Sequence, residues 1–108
     1  MVVQRDGSAF RPSDLPPGRV AVMFTADWCG YCHRFLPHYK ALREQWVVDI
    51  SDDDDPLWDA LAIRVVPTVI VFRDGVPAQR WAGVLGPGVV PQIQAALSAD
   101  PASSASTP

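Results

Sequence analysis

Cysteine is nearly absent from this chain: its 108 residues contain two. A single pair cannot build a disulfide-stapled scaffold, so stability must come from a hydrophobic core, which a chain of this length can bury as one domain. No apolar run approaches the ~20 residues that span a bilayer. A surplus of one charge is missing too: nine basic and twelve acidic side chains leave a net charge of −3, which points to neither nucleic acid nor an anionic membrane surface as partner. Residues 1–10 include Arg5 and Asp6 and lack the apolar core of a secretory signal, so the expected compartment is the cytoplasm. In such a reducing compartment a lone cysteine pair is catalytic or metal-binding rather than structural.

The pair is concentrated in one stretch, Trp28-Cys29-Gly30-Tyr31-Cys32. Before it, Val20 to Phe24 is a short apolar run of strand formers, as in a strand buried on both faces. After Gly30 the period changes, and Phe35, Leu36, Tyr39, Leu42 and Trp46 recur at helical spacing. Cys29 is therefore expected at a helix N-terminus, with Cys32 one turn further in. The unpaired N–H groups and the positive dipole end of a first helical turn favour an anion, and a thiolate is the species that attacks a disulfide. Cys29 is the expected nucleophile and Cys32 the resolving thiol.

The flanks complete the pattern. Val2-Val3 can begin a strand, and Asp6-Gly7 marks a turn within Gln4 to Ser8. Ser13-Asp14-Leu15 has room for one helical turn between prolines. Pro37 lies inside the helix after Cys32, where it bends the axis and separates an active-site turn from the buried remainder. Trp46 to Ile50 reads as a second strand. The run Asp52 to Asp55 lacks the glycine and spacing of a calcium loop, and reads as a solvated loop ending in an Asp55-Pro56 cap. Leu57, Trp58, Leu61 and Ala62 follow as the apolar face of a short helix. Val69 to Phe72 is another buried strand, Asp74-Gly75 a hairpin turn, and Gln79 to Ala82 the returning strand, ended by Gly83. Val89, Val90, Ile93, Ala96 and Leu97 make a final amphipathic helix with Pro91 in its first turn. The domain spans residues 1–98, and the small, polar residues 99–108 are expected to be a disordered tail. Strands alternating with helices and then a hairpin imply a mixed sheet.

Ala26-Asp-Trp-Cys-Gly-Tyr-Cys, Pro37 five residues after the second cysteine, Val66-Pro67-Thr68, and Asp74-Gly75 followed by Gly83 stand together in register. On these motifs the chain, from about Arg19 to Leu97, closely resembles the thioredoxin family. The resemblance implies an α/β fold with a central mixed sheet of four to five strands, flanked by helices on both faces. It implies reduction of protein disulfides through a mixed disulfide at Cys29 that Cys32 resolves, with no cofactor and no metal. Pro67 would be a cis-proline beside the cysteines. Val66 would offer backbone groups to an extended substrate segment, and Trp28, Gly30, Tyr31, Ala82 and Gly83 would line the same groove. Partners would be protein disulfides and an electron donor such as a thioredoxin reductase, met by a monomer.

Two departures from the family stand out. Met23 occupies the place of its usual buried aspartate, and Val48 lies near that of its accompanying lysine, so Asp27 and His33 become the candidates for proton exchange at Cys32. Gly30-Tyr31 replaces Gly-Pro and is similar to the active sites of periplasmic disulfide isomerases. That change is expected to make the disulfide somewhat more oxidising. The alternative of an oxidase or isomerase in an oxidising compartment follows from it. A further alternative, a metal-binding module, has Cys29, Cys32, His33 and His38 as ligands by count, but the spacing of His38 around the helix and Pro67 beside the site oppose it.

Overall fold

A computed structural model describes residues 2–4, 10–42 and 45–98, with side chains for 10–42 and 46–98. Its eight regular elements are β1 (Val2–Gln4), β2 (Arg19–Thr25), α1 (Gly30–Tyr39), β3 (Gln45–Asp49), α2 (Leu57–Ala60), β4 (Thr68–Arg73), β5 (Val76–Ala82) and α3 (Val90–Ser98). Single 3₁₀ turns at Pro12–Asp14 and Pro87–Val89 lead into β2 and α3. The five strands form one mixed sheet in the order β1-β3-β2-β4-β5, flanked by helices. β1 and β2 both run parallel to β3, whereas β4 is antiparallel to β2 and to β5.

Composition explains the order of the strands. The central strands β2 and β4 are apolar runs whose residues Val20–Phe24 and Thr68–Phe72 are buried without alternation, because both sheet faces are covered. β5 is exposed along almost its whole length and contains Pro77, which suits an edge. Asp74 and Gly75 have φ of 53° and 82°, the positive pair that a two-residue hairpin needs to match strand twist. Gly18 donates to Asp74 Oδ1 at 2.7 Å and accepts from the Asp74 N–H at 2.9 Å, which fastens this turn to the start of β2.

The core gathers Met23, Phe24, Phe35, Tyr39, Ile50, Ile70, Phe72 and Ile93, all with essentially no exposed surface. Full burial of such a side chain contributes about 1.5–3 kcal/mol. Phe10 packs edge-on against Phe24 and Trp46, at 5.9 and 6.3 Å between centroids, which closes the sheet near its parallel edge. The Tyr39 hydroxyl reaches the carbonyl oxygens of Ala21 (3.0 Å) and Trp46 (2.8 Å), so one side chain ties the end of α1 to β2 and β3. Burial pushes its phenol well above the ordinary range.

Several expectations need correction. α1 runs through Pro37 but stops at Tyr39; Leu42 is buried in the turn beyond it, and of the two readings of Trp46 the strand holds, in β3, and the helical face does not. A chain that must return parallel to β2 has to leave the helix there, whatever the apolar spacing. Ala62 lies outside α2, at φ 53° and exposed. The helix starts one residue later than expected, with Pro56 rather than Asp55 as its N-cap, and the Asp55 carboxylate accepts the Leu57 N–H at 2.9 Å from one residue further back. Ser98 ends α3. The turn at Asp6-Gly7 and the tail 99–108 lie outside the described residues. Among those residues, no helix is long and apolar enough to cross a membrane.

Candidate active site

β2 ends at Thr25, and Ala26, Asp27 and Trp28 carry the chain over to α1. Cys29 is the N-cap of that helix, with extended backbone (φ −96°, ψ 108°), and its Sγ accepts the Cys32 N–H at 3.1 Å. The sulfur thus does what a serine or aspartate oxygen does at other N-caps. A thiolate there would meet one of the helix's unpaired donors directly. The Cys29 thiol in turn donates to the Val66 carbonyl oxygen at 3.4 Å. Both cysteines are free thiols.

The two sulfurs have different surroundings. Cys29 keeps 6% of its surface and Cys32 1%, so Cys29 is the sulfur more open to a reagent from outside. Burial, together with the neighbouring Cys29 sulfur, pushes the Cys32 thiol up to about 12, against the opposing pull of the Thr25 hydroxyl and the Ala26 backbone. Met23, with no exposed surface, supplies no carboxylate beneath it. His33 turns its ring to the Asp27 carbonyl, donating from Nε2 at 2.8 Å, and the Asp27 side chain is exposed. Thr25 is the polar side chain at Cys32. The alternation of β2 puts it on the same sheet face as Met23, two residues on, which is the signal that could have found it.

The remaining groove residues come from separate elements. The Val66–Pro67 peptide is cis. The loop that carries it is held by the Thr68 hydroxyl donating to the Val65 carbonyl at 2.7 Å and by the Gly83 N–H donating to the Pro67 carbonyl at 3.2 Å. Val66 and Pro67 are buried beside Cys29, whereas Val65, Ala82, Trp28 and Tyr31 are exposed. Trp28 is fixed by its indole N–H donating to the Ser51 carbonyl at 2.9 Å, and Ser51 Oγ also accepts the Asp27 N–H at 2.7 Å. Ser51 is anchored by Asp49, whose Oδ1 accepts the Ser51 N–H at 2.7 Å and its hydroxyl. Sequence reasoning missed Ser51, because only the fold brings it to Trp28. Arg34 stacks its guanidinium over the Tyr31 ring, 5.3 Å from the centroid. Among the described residues, no three of His, Cys, Asp or Glu gather as metal ligands would.

Comparison with known proteins agrees with this geometry. A family model for thioredoxin matches residues 11–94. The chain is 34% identical to thioredoxin F1, chloroplastic, of Arabidopsis thaliana, over 91% of this chain and 60% of that protein. It is 33% identical to thioredoxin 1 of Synechococcus elongatus, over 75% of this chain and 77% of the relative. The chain spans about three fifths of the length of the chloroplastic F-type relatives from Arabidopsis thaliana and Brassica napus. Among solved structures, thioredoxin f2 of Chlamydomonas reinhardtii superposes with a TM-score of 0.74 at 23% identity, covering 93% of this chain and all of that one. A chain from the complex of ferredoxin:thioredoxin reductase and thioredoxin f2 gives 0.72 at 27% identity, over 90% and 96%.

Proposed function

The chain belongs to the thioredoxin family, and we propose that it reduces protein disulfides by dithiol–disulfide exchange. The observation that carries this reading is the Cys29 sulfur at the head of α1, accepting the Cys32 N–H, with Cys32 buried one turn behind it.

The Cys29 thiolate attacks one sulfur of the substrate disulfide, and the other sulfur leaves as a thiolate that takes up a proton. Cys32 then loses its proton and attacks the Cys29 sulfur of the mixed disulfide. This releases the second substrate thiolate and leaves Cys29–Cys32 oxidised. The helix N-terminus steadies the negative charge on Cys29 before attack. Deprotonation of Cys32 is the demanding step, because burial holds its proton tightly. The departing substrate thiolate, water and the Thr25 hydroxyl are the groups that serve it.

Substrate binds as an extended segment across Trp28, Gly30, Tyr31, Ala82 and Gly83, alongside Val66 and Pro67. The Val66 carbonyl, which accepts the Cys29 thiol proton in the reduced protein, becomes free for a substrate N–H once that proton is gone. The working unit is residues 1–98, acting as a monomer. Its disulfide is recharged by a donor of the thioredoxin-reductase kind; a relative's complex with ferredoxin:thioredoxin reductase supports a partner of that class. The reading requires a reducing compartment. The cytoplasm is narrower than the relatives support, since several of them are named as chloroplastic.

The deciding experiment is a trap. Cys32→Ser incubated with a disulfide-bonded protein should accumulate a mixed disulfide at Cys29, seen by mass spectrometry and cleared by dithiothreitol. Cys29→Ser should form none and should not turn over. Equal trapping by both variants would overturn the assignment of roles.

A further inference from the structure

Arg34 is a cation in the first half of α1 whose position the structure fixes. It lies three residues after Tyr31 and four after Gly30, the two spacings that bring helical side chains together. Its guanidinium covers one face of the exposed Tyr31 ring, 5.3 Å from the centroid, and its Nη2 lies 3.8 Å from where a Cβ on Gly30 would stand. That is ordinary van der Waals distance, so the guanidinium lies directly against the residue that follows Cys29. Arg34 itself is exposed, and among the described residues it makes no ion pair. A stacked guanidinium keeps its N–H edges free and is already ordered, so it loses little conformational freedom on meeting a carboxylate.

The other flank of the nucleophile has the opposite charge. Ser51 ties down Asp27 and Trp28, and Asp52, Asp53 and Asp54 follow directly from it, all exposed. A substrate carboxylate is therefore repelled on the Trp28 side and finds a fixed cation on the Tyr31 side.

We propose that Arg34 is a specificity-determining residue for the disulfide exchange, its guanidinium binding a carboxylate one or two residues from the attacked cysteine of the substrate. Substrates with an acidic residue in that place react faster than those with a basic one. The assignment rests on the disulfide-reductase reading above.

The test compares disulfide peptides identical except for Glu, Gln or Lys beside the attacked cysteine, reduced by the full chain with dithiothreitol as donor. The wild type should rank them Glu, Gln, Lys by kcat/KM. Arg34→Met should lose roughly two- to fivefold on the Glu peptide, the range an exposed ion pair supports, with the Gln peptide unchanged. Arg34→Lys should recover part of that loss, and high salt should erase the preference. An equal loss on all peptides together with a shifted reduction potential would overturn the proposal, because Arg34 would then act on the sulfur. No change on any peptide would overturn it as well. Failure of the wild type to reduce even the Gln peptide would instead sink the reductase reading, and this assignment with it.

Discussion

The Cys29 thiol and the Val66 carbonyl oxygen are hydrogen-bonded at 3.4 Å, from elements 37 residues apart. The contact joins the two halves of the site, the head of α1 and the loop before β4. It also makes the presentation of Val66 depend on the state of the sulfur, since a thiolate or a disulfide has no proton to donate. In the proposed exchange, chemistry at Cys29 and strand-like pairing of the substrate are thus linked through one oxygen atom.

The buried Cys32 thiol makes stability depend on pH. It is held up to about 12 in the folded protein, well above the ordinary range of a thiol. From about pH 9 upward the unfolded chain loses this proton while the folded chain keeps it. The stabilisation is therefore complete below pH 9 and is lost as pH rises toward 12. Urea midpoints of Cys29→Ser should fall more steeply over that window than those of Cys29→Ser/Cys32→Ser. The raised phenol of Tyr39 acts in the same direction but is common to both variants, so it cancels.

Removing the Thr25 hydroxyl should slow resolution. That hydroxyl opposes the rise at Cys32, so Thr25→Val should raise the thiol further and leave less thiolate at any working pH. A neutral hydrogen bond worth about 1 kcal/mol corresponds to about fivefold in the rate at which Cys32 clears a preformed mixed disulfide. Stopped-flow measurement of that step checks it. Attack by Cys29 on the substrate should change little.

Tyr31 is the residue between the cysteines that departs from the family's usual proline. Tyr31→Pro should lower the reduction potential of the pair, by about 30 mV for each 1.4 kcal/mol of differential stabilisation. Position two of α1 is in the first turn, where proline is tolerated. Equilibration with glutathione gives both potentials. A higher value for the proline variant would remove the reason for regarding Gly30-Tyr31 as more oxidising.

Asp55 is buried, and its carboxylate accepts the Leu57 N–H at 2.9 Å. Asp55→Ala should cost about 1 kcal/mol of global stability, the usual loss when a hydrogen bond to the start of a helix is removed. Chemical denaturation checks this, and disulfide turnover should be unchanged, because the loss falls on a helix that carries no reacting group.

The parts of the fold that read clearly from the sequence are those where local chemistry and tertiary need agree. The buried runs of β2 and β4, the Asp74-Gly75 turn and Cys29 at the head of α1 are of this kind. Errors arose where one pattern served two purposes. Trp46 continues the helical spacing of Phe35 and Tyr39, yet it packs on Phe10 from β3, because the sheet needs a parallel strand there. Ala62 fits an apolar face, but the chain turns at Leu61 before reaching it. Within the site, the cysteines and the Val66-Pro67 loop were legible from motif and spacing. Ser51 and Thr25 were not, since their roles depend on a hydrogen bond across 23 residues and on which way a strand faces.

β5 has a consequence for the protein at high concentration. It forms one border of the sheet, seven residues long and mostly exposed, and such borders invite further strands from neighbouring molecules. Pro77 deprives it of one amide donor, and Arg80 folds back to donate to the carbonyls of Leu61 and Ala62, at 2.8 and 3.3 Å, leaving a charged side chain across the rim. The border is thereby poorly suited to templating an aggregate, and the chain keeps its open flank without the cost of covering it.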